Sequence, residues 1–202
     1  MAQSKFLWRL TKLMFAFFIY GIGISLMLRA GIGLLPWDVL AQGISKQGGV
    51  SFGIASVIVS IIVLLTWIPL RVKPGLGSVL NAIFIGLFVD VAMPFVPSFD
   101  NYPVQLGMLV LGLVTVSFAT GLYISCGMGK GPRDGLNLGL TAKLKRPFWQ
   151  VRTGVEVIVV SMGFLLGGQV REGTLIAALS IGYLNQIFLR AFKLVNKDGK
   201  LD

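Results

Sequence analysis

GIGLLPWDVLAQG, residues 31–43, and GMGKGPRDGLNLG, residues 127–139, are two copies of one pattern set 96 positions apart. Gly31, Gly33, Pro36, Asp38, Leu40 and Gly43 of the first copy meet Gly127, Gly129, Pro132, Asp134, Leu136 and Gly139 of the second. The same offset then pairs, with no gap, Phe52 with Phe148, Gly77 with Gly173, Ser78 with Thr174, Ile85 with Ile181 and Gly86 with Gly182. Composition alone does not generate so long a register. The chain therefore reads as two similar halves, residues 10–96 and 105–191, followed by a short tail, 192–202.

Around these motifs the chain is apolar. Hydrophobic residues make up 55% of the 202, charged residues only 13%, and mean hydropathy is +0.83; a soluble domain carries about 25% charged residues. Six runs are long enough to cross a hydrocarbon core of about 30 Å: Leu10 to Leu28, Ser51 to Leu70, Gly77 to Val96, Gln105 to Ser125, Phe148 to Gly168 and Gly173 to Ala191. The expected fold is an all-α polytopic membrane protein forming one membrane domain. The N-terminus has the basic start and apolar stretch of a signal peptide but no convincing cleavage site, and is read as a retained first helix.

The net charge of +10 takes its meaning from where it lies. With a cytoplasmic N-terminus, the inside segments hold Lys5, Arg9, Lys12, Arg71, Lys73, Lys130, Arg133, Lys143, Lys145, Arg146, Arg152, Arg190, Lys193, Lys197 and Lys200. The outside segments hold Arg29, Lys46 and Arg171, so fifteen of eighteen basic residues are inside, as the positive-inside rule requires. The excess is topological, and nucleic-acid binding is not expected. Both termini are placed on the cytoplasmic side of the membrane. Three spans per half is an odd number, so the second half enters from the opposite side and the repeat is inverted, as in several transporter folds.

Each motif has the grammar of a helix start: glycines that permit a sharp turn, Pro at the first helical position, and Asp in the first turn. The helical stretches Pro36 to Gln47 and Pro132 to Lys143 cover about 18 Å, roughly half the core. They are expected as half-helices or re-entrant segments after the first span of each half. Two such N-termini, one from each leaflet, would make a central site with backbone N–H groups near Gly31, Gly33, Gly127 and Gly129, and with Asp38 and Asp134 as proton, cation or amine partners. The plainer alternative is that Pro36, Pro132 and the aspartates cap short interfacial helices while the glycines allow close packing. The second copy superficially resembles a phosphate loop, but it follows no strand and lacks the G-K-[ST] ending.

Glu156 lies about 12 Å into the fifth span, near mid-core, with Arg152 one turn earlier on the same face. The pair is either a coupling or substrate site or an inward structural ion pair. Asp90 and Arg29, near outer span ends, either pair across helices or simply reach the interface. Asn81, Tyr183, Asn185 and Gln186 add polarity to the third and sixth spans. One cysteine, Cys126, and no histidine exclude disulfide frameworks, imidazole zinc sites, haem ligation by His and Ser-His triads. No metal or cofactor is expected, and Cys126 reads as a small packing residue.

GIGLLPWDVL, GMGKGPRDGL and the late REGTLIAALSIGYLNQ together resemble the YczE/YitT group of small bacterial integral membrane proteins, closer to the YczE branch, from about Gly21 to Arg190. The resemblance implies a multi-pass protein of the bacterial cytoplasmic (inner) membrane and carries over no established catalytic residues. The chain departs from the pattern at Leu35, where glycine is expected before Pro36 as Gly131 precedes Pro132.

The leading functional expectation is a transporter or flippase-like permease for a small anionic or zwitterionic solute or lipid head group, working by alternating access around a midplane site. The residues assigned to that site are Gly31, Gly33, Pro36, Asp38, Gly127, Gly129, Pro132, Asp134, Arg152 and Glu156. The alternative is a non-transporting membrane assembly or interaction protein. An intramembrane enzyme built on the carboxylates ranks last, since no acid–base pair can be located. Membrane lipids are expected partners, with a second copy or another protein as further ones.

Overall fold

A backbone surrounded by hydrocarbon must satisfy its N–H and C=O groups within itself, and the apolar runs accordingly become helices. The computed structural model describes residues 2–194; the expected tail from residue 195 on, with Lys197 and Lys200, lies outside the described residues. The elements are α1 (Ala2–Ala30), α2 (Pro36–Gly48), α3 (Phe52–Leu70), α4 (Leu76–Ala92), α5 (Tyr102–Ile124), α6 (Pro132–Leu144), α7 (Phe148–Leu165) and α8 (Glu172–Ala191). No strand occurs among the described residues, and six of the helices are long and apolar enough to cross a bilayer.

Two spans depart most from the expected bounds. α1 begins at Ala2 instead of Leu10, carrying Lys5, Arg9 and Lys12 in continuous helix. The third span leaves α geometry at Ala92 and tightens into a 3₁₀ turn, Met93–Phe95, because Pro94 has no N–H to continue the ladder. Phe192, placed by sequence in the tail, packs instead on α5, its ring 5.7 Å from that of Phe118.

The short helices α2 and α6 have 13 residues each, ending within one residue of the expected positions. Their approaches are conformational copies. Gly31 and Gly127 have φ of 68° and 61°, and Gly33 and Gly129 have 145° and 139°, values that side chains rarely adopt. Leu35 and Gly131 lie at φ −64°, ψ 149° and φ −63°, ψ 152°, an extended conformation open to any residue. Leucine therefore serves at position 35, and the glycine at 131 has another reason: a Cβ there would stand 3.0 Å from the Tyr123 hydroxyl oxygen.

α1 and α5 form the central pair. They run antiparallel, since Gly23 abuts Gly112 while Arg9, near the other end of α1, donates to the Cys126 carbonyl from Nε at 2.8 Å. Leu13, Phe17, Ile24, Leu109, Leu113 and Val116 are buried in the same core. α4 packs on α1 as α8 packs on α5, and α2 packs on α7 as α6 packs on α3. Small residues make these crossings close: Gly163 lies against Val39 and Leu40, and Gly135 lies under the Trp67 ring.

One crossing is not repeated. α3 and α4 touch backbone to backbone at Gly53 and Gly86, and Asp90 of α4 accepts from the Ser51 hydroxyl and from the Gly53 N–H at 2.8 Å. The 96-residue equivalents, α7 and α8, make almost no contact. Asp90 and Arg29 do not pair; Arg29 donates to the Met93 carbonyl at 3.0 Å, because Asp90 is already engaged by the N-terminus of α3.

Gly86 and its equivalent Gly182 should respond oppositely to a methyl group. A Cβ at Gly86 would collide with the Gly53 carbonyl, whereas one at Gly182 would meet nothing within 4 Å. Gly86→Ala is expected to cost about 1–3 kcal/mol, and Gly182→Ala to be neutral or to stabilise by up to about 1 kcal/mol. Thermal unfolding of the two variants in detergent micelles measures the difference.

Candidate functional site

The N-terminal ends of α2 and α6 meet inside the bundle. Asp38, in the first turn of α2, is fully buried, and Arg133, in the first turn of α6, donates to its Oδ1 at 2.7 Å. The Arg133 guanidinium also lies over the Trp37 ring, 5.7 Å from its centre. Trp37 and Arg133 are equivalent positions at the 96-residue offset, so each half contributes a different side chain at the same place. Asp38 gains further from the positive end of α2, while its Oδ2 has no hydrogen-bonding partner in the protein.

The junction borders a chamber of about 100 Å³. Pro36, Pro132, Arg133 and Asp134 form the wall at the helix starts, while Tyr20, Tyr123 and Asn81 come from the long helices. Asp134 accepts a 3.2 Å hydrogen bond from the Tyr123 hydroxyl. Arg152 donates to Glu156 at 2.9 Å, the expected one-turn ion pair, and both residues line the chamber. Their equivalents in the first half, Ser56 and Ser60, line it as well. Asn137 is 4% exposed, and both it and Asn185 bring a buried, unpartnered amide oxygen to this region.

Of the residues assigned by sequence, Pro36, Pro132, Asp134, Arg152 and Glu156 come together in the wall, and Asp38 stands behind it paired to Arg133. The four glycines lie elsewhere. Gly33 packs against Gly173 and Thr174 at the start of α8, and Gly129 against Gly75 and Ser78 at the start of α4. The Gly31 carbonyl accepts from Arg171 at 3.0 Å and the Gly127 carbonyl from Arg9 at 3.0 Å, so an arginine from a distant segment ties each turn. Cys126 is buried beside Gly127, and burial pushes its thiol up against the opposing pull of Lys12 and Arg9.

Arg133 is the largest revision. Counted among the inside basic residues by sequence, it points instead into the chamber, as does Arg152. Two signals were present: Arg133 directly follows Pro132, and it stands where the first half has Trp37. The same register pairs Ser56 and Ser60 with Arg152 and Glu156, marking one face of α3 as the partner of one face of α7.

Helices crossing a bilayer around an interior chamber with charges of both signs define a multi-pass helical membrane protein. The chain belongs to the DUF6198 family, described as a family of unknown function, whose pattern matches residues 7–190. It is similar to an uncharacterized protein of Haemophilus influenzae, 39% identical over 177 residues, 88% of this chain and 81% of that protein. It also matches the uncharacterized membrane protein YczE of Bacillus subtilis, 30% identical over 88% of this chain and 84% of YczE. The uncharacterized protein YyaS of the same organism is 29% identical over 85% of this chain and 87% of YyaS. The YczE-type membership read from the motif copies is borne out. No solved structure matches the chain.

The Asp38–Arg133 pair joins the two halves, and removing one member leaves the other charge buried. Asp38→Ala is expected to cost on the order of 3 kcal/mol. Asp38→Ala with Arg133→Ala is expected to cost less than the sum of the two single changes, a coupling that a double-mutant cycle by thermal unfolding in micelles reads directly.

Proposed function

We propose that the protein is a transporter or flippase-like permease in which two inverted three-helix halves, residues 10–96 and 105–191, alternate around the charged chamber. The carrying observation is the chamber itself: Arg133, Arg152, Asp134 and Glu156 lie together between two facing helix starts. Ionisable groups this deep in a membrane protein are costly, and they concentrate on substrate and ion paths. The antiparallel course of α1 and α5, equivalent helices of the two halves, supports the inverted arrangement. The excess of basic residues in one set of connections supports a cytoplasmic location for both termini in a bacterial inner membrane.

The charge balance favours a zwitterion over a simple anion. With Asp38 behind the wall, three carboxylates face two guanidiniums, and Asp134 is the carboxylate without an arginine hydrogen bond. An ammonium group suits Asp134 or Glu156, while an anionic group suits Arg152 and the positive ends of α2 and α6. The two ion pairs have different mechanical roles in this reading. Asp38–Arg133 bridges the halves and must part or slide when they move, whereas Arg152–Glu156 lies within one helix and travels intact.

Purified protein in liposomes, given a panel of zwitterionic and anionic solutes and labelled lipids, tests the proposal. Protein-dependent movement of at least one class is expected, with Asp134→Asn and Glu156→Gln slowing it about tenfold or more while thermal unfolding stays near that of the parent. If nothing moves and Glu156→Gln leaves the cellular phenotype intact, the proposal fails. A non-transporting assembly or interaction protein then takes its place, and it predicts a stable crosslinked partner.

A further inference from the structure

The two halves differ most where their last two helices meet. α3 and α4 close on each other because Gly53 and Gly86 have no side chains and Asp90 clasps Ser51 and Gly53. The equivalent positions in the second half hold Trp149, Gly182, Gln186 and Pro147. Tryptophan cannot stand where Gly53 touches the opposing backbone, and Gln186 has no serine–glycine start to clasp. α7 and α8 accordingly stand apart.

Between them lies a cleft of about 380 Å³. Val157 and Val160 of α7 and Leu175, Ala178 and Leu179 of α8 form its sides. Val157, Leu175 and Leu179 are 56%, 65% and 74% exposed on the outside of the bundle, so the mouth of the cleft faces hydrocarbon. Its inner end reaches Pro36 and Glu156, both of which also line the chamber. The cleft thus adjoins the charged interior site, with Pro36 and Glu156 common to both.

Size distinguishes the two compartments. A chamber of about 100 Å³ is well below the roughly 300–1,000 Å³ of sites that enclose small-molecule ligands, whereas the cleft falls in that range. The polar compartment therefore suits a small head group and the larger apolar one suits a chain. At the junction, Arg152 and Glu156 present opposite charges 2.9 Å apart, complementary to a head that carries both signs.

We propose that the α7–α8 cleft is a lateral portal, and that the ligand is a membrane amphiphile whose alkyl chain lies in the cleft while its zwitterionic head enters the chamber. The proposal rests on the reading of the chamber as a substrate site and specifies the substrate class. Substrate then arrives sideways from the bilayer, and the sealed α3–α4 pair makes entry one-sided within the bundle.

The test uses the full chain in lipid nanodiscs with dodecylphosphocholine bearing a diazirine on its chain. After illumination, labelled peptides should concentrate at residues 153–160 and 174–179. Unlabelled dodecylphosphocholine should compete, while phosphocholine at the same concentration should not. Ala178→Trp, which fills the cleft, should lower labelling there about tenfold, since losing the burial of about two methylenes costs that much affinity. Val79→Trp, on the lipid-facing side of α4 at the position equivalent to Leu175, should leave labelling unchanged.

Even labelling of every lipid-facing helix, equal competition by phosphocholine, or an unlabelled cleft in a dimer crosslinked through α7 and α8 would each overturn the portal. The wild-type label map and the competition stand whether or not Ala178→Trp folds. Transport of a soluble zwitterion with no cleft labelling removes the portal and keeps the transporter. Cleft labelling without translocation of the amphiphile keeps the binding site and removes the transport reading.

Discussion

Asp38 and Arg133 pair at 2.7 Å between the starts of two helices that are each too short to cross a bilayer, and the interior is organised around that contact. A helix start leaves its first N–H groups without intrahelical acceptors, and an apolar medium supplies none. Placing two starts opposite each other concentrates those donors and their positive ends in one protected place, where carboxylates are stabilised instead of expelled. Pro36 and Pro132 ease the problem by removing one donor from each start. Arg9 and Arg171 anchor the turns from outside the junction, and the glycines allow those turns to fit against α4 and α8.

The scaffold is close to symmetric, but its chemistry is not. Equivalent turns agree in φ to within a few degrees, and equivalent helices pack on equivalent neighbours. On this frame Trp37 faces Arg133, and Ser56 and Ser60 answer Arg152 and Glu156, so the charge is concentrated in the second half. The first half supplies closure instead, through Gly53, Gly86 and Asp90. Duplicated backbones can thus divide labour, one copy sealing its helices while the other keeps a polar wall and an open seam.

The spans, the short helices and the Arg152–Glu156 pair were legible because each depends on residues near one another in sequence: apolar run length, a proline followed by an aspartate, and a spacing of four. The fate of Asp90 was less legible. Its competition between Arg29 and the N-terminus of α3 is decided by how closely Gly53 lets two helices approach. The glycines misled in a similar way, since a residue required for its backbone angle and one required for ligand contact look identical in a motif. Arg133 was hidden by the charge rule itself, which counts basic residues between spans without asking which of them turn inward.

By itself the sequence determined the number of crossings, the position of both short helices and the 96-residue register, all of which follow from local hydropathy and backbone preference. Only the tertiary structure decided that the two helix starts meet through Asp38 and Arg133, that Gly33 and Gly129 serve packing, and that α7 stands off from α8. Those outcomes depend on approach distances between separate helices and turns, set by side-chain volume at the crossings, which no local pattern encodes.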